Sequence, residues 1–86
     1  KQGQPAATAS AQTMEQQWAA WQLTRAESEV AAYIVRGLNF YQIADLLEKS
    51  ERTVRQQAMS IYAKAGVRNR AELTGYLIEN LADLPE

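Results

Sequence analysis

The sequence predicts an all-α domain, a short leading helix followed by four more. Three observations carry that prediction. Short polar residues recur at helix-length intervals, and four of them have Gln or Glu three positions later. That is the spacing of a capping box, in which each side chain satisfies the other residue's orphan backbone N–H. Glycines stand just past two apolar stretches, where a left-handed residue closes a helix. No segment alternates β-branched and polar residues as a half-buried strand does.

Taken in order, residues 1–12, KQGQPAATASAQ, read as a flexible linker of Gln, Ala, Ser and Gly. Thr13 with Gln16 opens a leading segment, 13–22, whose helix runs over about 14–21. Trp18 and Trp21 lie three apart on it and share a face, which suits docking on the bundle better than a platform for a ligand or base. The main domain is expected over 23–84. Thr24 with Glu27 opens a helix of about 25–36 that Gly37 closes, with Val30, Ala31, Ile34 and Leu38 inward. Asn39 with Gln42 opens a helix of 40–47, where Ile43, Leu46 and Leu47 line one side. Ser50, with Thr53 at the third position, starts a helix of 51–65 that Gly66 closes. Asn69 with Glu72 opens the last, about 70–82, with Leu73, Tyr76, Leu77 and Leu81 as its apolar stripe.

The composition narrows the function classes. Eighty-six residues make one small domain, near the lower limit for a core without staples. With no cysteine and no histidine, there is neither a disulfide framework nor a thiolate or imidazole metal site. Catalysis would need paired carboxylates or an activated Lys, Ser or Tyr, and Glu27 and Glu29, two apart on a helix, point in different directions. No cofactor is expected, and the chain is not expected to be an enzyme. No apolar run approaches a membrane span, so a cytoplasmic location is expected. The chain begins at Lys1 rather than Met and is read as a piece of a longer protein, which leaves an upstream membrane anchor open.

Charge is unevenly spread. The net charge is −1, but residues 49–70 hold Lys49, Arg52, Arg55, Lys64, Arg68 and Arg70 against Glu51, a balance of +5. The rest of the chain carries −6. Such asymmetry suggests one basic face on a neutral body, the footprint of a polyanion partner, with chance clustering in a small domain as the alternative. The same helix that holds this charge follows its predecessor after only Glu48, Lys49 and Ser50. A three-residue turn between two helices, with small Ala44 one turn before the bend, has the geometry of a helix-turn-helix, whose second helix enters the DNA major groove.

On a wheel of about 100° per residue, Val54, Ala58, Ile61, Tyr62 and Ala65 fall in one sector of helix 51–65. Arg52, Gln56, Met59, Ser60 and Ala63 fall opposite, with Arg55 on one shoulder and Gln57 and Lys64 on the other. Arg can donate twice to guanine and Gln can pair bidentately with adenine. Thr53 and the free N–H groups at the helix start suit a phosphate. A solvated helix face has the same composition, and the wheel alone does not separate the two.

Residues Leu23 to Leu77 resemble the C-terminal DNA-binding domain of LuxR/FixJ-type bacterial transcription regulators. The likeness rests on LTRAESEVAAYIVRGL, QIADLL, SERTVR and IYAKAGVRNRAEL, in family order without an insertion. It implies a four-helix LuxR-type helix-turn-helix bundle, here with the extra leading helix, that binds double-stranded DNA through its third main helix. Arg55, Gln56 and Met59 then occupy positions that face bases, while Thr53, Gln57, Lys64, Arg52 and Arg70 are candidates for phosphate contact. The resemblance also implies a homodimer joined through the last helix, where Thr74, Leu77 and Ile78 are the candidate contacts. Gln57 stands where many members have His, and Met59 suits a thymine methyl rather than a base hydrogen bond. The rival reading is a helical module that docks on a protein, such as an RNA polymerase subunit, instead of DNA.

Overall fold

The computed structural model describes residues 12–83. Residues 1–11, which make up most of the expected linker, lie outside them. Five helices follow in order: α1 (Met14–Ala20), α2 (Arg25–Val35), α3 (Phe40–Leu47), α4 (Glu51–Ala65) and α5 (Arg70–Asn80). No strand occurs among the described residues.

Each helix begins where a cap residue replaces a missing carbonyl partner. Thr13, Thr24 and Asn39 are extended, and their side chains form reciprocal capping boxes with Gln16, Glu27 and Gln42. Ser50 Oγ accepts from Thr53 N–H at 3.0 Å. The fifth start differs from the expected box. Asn69 Oδ1 accepts from Glu72 N–H at 2.9 Å, but Glu72 Oε1 accepts from Arg68 N–H at 2.7 Å instead of returning to the cap. Gly37 and Gly66, with φ of 92° and 75°, supply the left-handed residues after α2 and α4.

The longest helix, α4, packs against both α2 and α3, and α5 closes the bundle against α4. Val30, Ala31, Ile34, Ile43, Val54, Ala58, Ile61, Leu73 and Leu77 are at most 1% exposed and form the center of the core. Ala44 is buried at the α3–α4 approach, as its size requires. Two expected core residues are not inside. Leu46 is 56% exposed because Ile43, Ala44 and Leu47 take the inward arc of the two-turn helix α3. Tyr76 is 40% exposed, and Trp21 covers part of it with ring centroids 5.6 Å apart.

Helix α1 belongs to this body. Trp18 is buried in the core cluster and Trp21 packs on its margin, so the pair docks as expected. The docking reaches further than the sequence suggested. Gln12 N–H donates to the Asn80 carbonyl at 3.0 Å, and Ala82 N–H donates to the Gln12 carbonyl at 2.7 Å. Leu81 is extended to allow this pairing, which ends α5 at Asn80, two residues before the expected limit.

Candidate nucleic-acid interface

The turn before α4 fixes how that helix is presented. Glu48 closes α3 in the left-handed region at φ 56°, a conformation unusual for a residue with a Cβ. Lys49 N–H then donates to the Ala44 carbonyl at 2.9 Å, and Ser50 begins the next helix. Backbone bonds through the turn and the packing of Ile43, Ala44 and Val54 together hold the bend. Burial of Val54, Ala58 and Ile61, all 0% exposed, sets the rotation of α4 about its axis.

With that rotation fixed, the outward face consists of Arg52, Arg55, Gln56, Met59 and Ala63, all exposed. Met59, 53% exposed, is the apolar member of this outward face. Arg52 has no ion-pair partner among the described residues. Arg55 pairs with Glu51 at 2.5 Å, and its guanidinium carbon lies 5.3 Å from the center of the Phe40 ring. Thr53 is half-buried, and its Oγ accepts from Ser50 Oγ at 2.9 Å, which leaves the Thr53 hydroxyl proton free to donate. Gln57, also half-buried, accepts from Lys49 Nζ at 3.3 Å through its side-chain oxygen, and its amide N–H groups remain available.

The other end of α4 is tied inward. Glu27, 7% exposed, accepts from Lys64 Nζ at 2.7 Å, Ser60 Oγ at 2.6 Å and Thr24 N–H at 2.9 Å. Burial pushes this carboxyl up, but those hydrogen bonds and the Lys64 charge outweigh it and hold the pKa at about 2. Lys64 Nζ also lies 3.4 Å from the Gln22 carbonyl. Sequence reading placed Lys64 among the phosphate candidates and did not find this network, because a contact between residues 37 apart leaves no local signal.

Arg70 is likewise engaged within the fold. Its guanidinium donates at 3.0 Å to the Ile34 carbonyl in the last turn of α2, which also accepts from Gly37 N–H, and to the Leu38 carbonyl beyond that helix. Burial pushes the Tyr62 hydroxyl above its usual value, an effect that the charge of Arg70 partly offsets. Arg70 is therefore half-buried with its guanidinium engaged inside the fold, unlike the exposed Arg52 and Arg55. Of the dimer candidates, Ile78 is 62% exposed and Thr74 is half-buried. Leu77 is 0% exposed, because its place on α5 faces the core, and it presents no surface to a second copy.

No helix among the described residues is long and apolar enough to cross a membrane. Comparison with family models matches residues 21–77 to GerE, described as bacterial regulatory proteins of the luxR family. The match covers the helix-turn-helix and leaves α1 outside it. No curated protein and no solved structure matches the chain.

Proposed function

From the premise that this chain belongs to the luxR family of bacterial regulatory proteins, whose helix-turn-helix domains bind DNA, we propose that α4 is its recognition helix and lies in the major groove. The observation that carries this reading is the two-sided character of α4. Val54, Ala58 and Ile61 are fully buried, while Arg52, Arg55, Gln56 and Met59 stand exposed on its opposite side and shoulder.

In the proposed complex Arg55 donates to a guanine edge, Gln56 pairs with an adenine, and Met59 meets a thymine methyl. Thr53, Gln57 and Arg52 hold phosphates and set the register, with the helix start adding its free N–H groups. Lys64 reaches the backbone only as the outer member of its pair with Glu27. A homodimer through Thr74 and Ile78 on α5 would set two half-sites about one helical turn apart.

The test is fluorescence anisotropy of a labelled random-sequence duplex, titrated at several salt concentrations. Affinity should fall steeply with salt, with a slope equivalent to about three to six neutralised phosphates. Arg55→Ala should then weaken binding to a duplex selected by the wild-type chain by roughly 1–3 kcal/mol. Negligible binding at low salt would remove the DNA-reading function and favour a protein partner for the same face.

A further inference from the structure

One carboxylate stands at the front of the proposed recognition helix, where a polyanion partner would repel it. Glu51 is the first residue of α4, and its Oε2 accepts from Arg55 Nη2 at 2.5 Å. On another side of the same guanidinium lies the Phe40 ring, 5.3 Å from its carbon. Both holding groups sit on capped helix starts, and the Phe40 ring is further held by packing. Phe40 is the first residue of α3, behind the Asn39 capping box, and its ring packs against the core cluster. Glu51 follows the Ser50 cap.

We propose that Glu51 and Phe40 are positioning residues that set base specificity by holding the Arg55 guanidinium in one orientation. The proposal deepens the DNA-reading function above and rests on it. A free Arg samples many rotamers, and each bound geometry costs entropy. Arg52, exposed and without an ion-pair partner among the described residues, is the contrasting case one turn earlier on the same helix. The hydrogen bond to Glu51 occupies one edge of Arg55, and the guanidinium keeps further N–H groups for a base. Contact with DNA would desolvate the pair and the cation–π contact, strengthening both.

The carboxylate therefore has two effects of opposite sign. It weakens attraction to any DNA backbone and sharpens preference among sequences. Removing it should raise affinity for random duplex while lowering discrimination. A general charge effect would not lower discrimination.

The experiment selects a preferred duplex from a randomised library with the wild-type chain, then measures binding to that duplex and to random duplex. The variants are Glu51→Ala, Glu51→Gln and Arg55→Ala, each checked for folding by circular dichroism. Glu51→Ala removes the ion pair and leaves the Phe40 contact, and should lower the selected-to-random affinity ratio by up to about fivefold, the upper scale of one exposed ion pair. Glu51→Gln keeps an oxygen that accepts from Arg55 and should retain most of the ratio. Placed on Arg55→Ala, the Glu51→Ala change should leave the ratio where it is. The proposal is overturned if both Glu51 variants raise affinity for the two duplexes equally, or if Glu51→Ala lowers the ratio without Arg55. A wild-type chain that enriches no sequence overturns the DNA-reading function itself, and the proposal with it.

Discussion

The two ends of α4 carry the same kind of interaction in opposite settings. Toward its C-terminal end, Lys64 meets the buried carboxylate of Glu27, which also accepts from Ser60 and a backbone N–H. At its start, Arg55 meets Glu51 with side chains 55% and 46% exposed. The first pair joins helices distant in sequence, and the second joins neighbours on one helix. One anchors α4 in the body, and the other presents a donor to the outside. Distance alone does not separate them, since both are short. What differs is the number of further partners and the access of water.

Breaking the anchor should have the largest effect. Glu27→Ala removes half of the α2 capping box, leaves Ser60 Oγ without its acceptor and leaves Lys64 only the long contact to the Gln22 carbonyl. A loss of about 2–4 kcal/mol of unfolding free energy is expected, measured by urea denaturation. The part-exposed Lys64 can rehydrate, which keeps the loss below that of a fully buried pair. The same carboxylate sets an acid limb. Its pKa falls from 4.5 to about 2 on folding, so its stabilisation is complete above about 4.5 and is lost as pH falls toward 2. After solvent screening of Lys64 that stabilisation is on the order of 2 kcal/mol. Urea midpoints from pH 6 down to about 2 should fall in the wild-type chain and fall less in Glu27→Gln.

Most of the architecture was readable because helix starts are local events. Thr13, Thr24, Asn39 and Ser50 act within three residues of themselves, and spacing alone exposes them. The tertiary choices were less readable. Leu46 and Leu47 are adjacent apolar residues on a two-turn helix, and only the position of α4 and α2 decides that Leu47 is the one that packs. Leu77 carries a similar ambiguity on α5, where the arc that faces the core takes it away from any dimer surface. The site was legible as a face but not as a set of partners. Arg55, Gln56 and Met59 fall outward as their wheel positions imply, whereas Lys64 and Arg70 find acceptors more than 30 residues away. Such contacts leave no periodic trace. The Glu51–Arg55 pair has i,i+4 spacing that the sequence reading passed over, and nothing in that spacing indicates that Phe40 sits beside the guanidinium.

The turn between α3 and α4 offers an intermediate effect of opposite sign. Glu48 holds a left-handed conformation that costs a residue with a Cβ about 1–2 kcal/mol, and glycine would adopt it freely. Part of that gain is offset by the greater freedom of glycine in the unfolded chain. Glu48→Gly should therefore raise stability by about 0.5–1 kcal/mol, read as a higher melting temperature. A decrease would mean that the Glu48 side chain holds the bend, and that the backbone bond from Lys49 to Ala44 is not sufficient.

The smallest stability effect is expected at the exposed pair, and this sharpens the contrast most. An i,i+4 ion pair in water stabilises a helix by about 0.2–0.5 kcal/mol, and a carboxylate in the first turn adds a similar amount through the helix dipole. Glu51→Ala should accordingly cost no more than about 1 kcal/mol in urea denaturation. High salt should shrink that cost further, because both partners are open to solvent. The Glu27→Ala cost should persist under the same salt, since its carboxylate is enclosed. Two short ion pairs on one helix would then be distinguished by salt response, with the enclosed one holding α4 in place and the open one left free to act on what α4 meets. Equal salt sensitivity of the two variants would show that enclosure of Glu27 does not protect its network, and that the two ends of α4 are energetically alike.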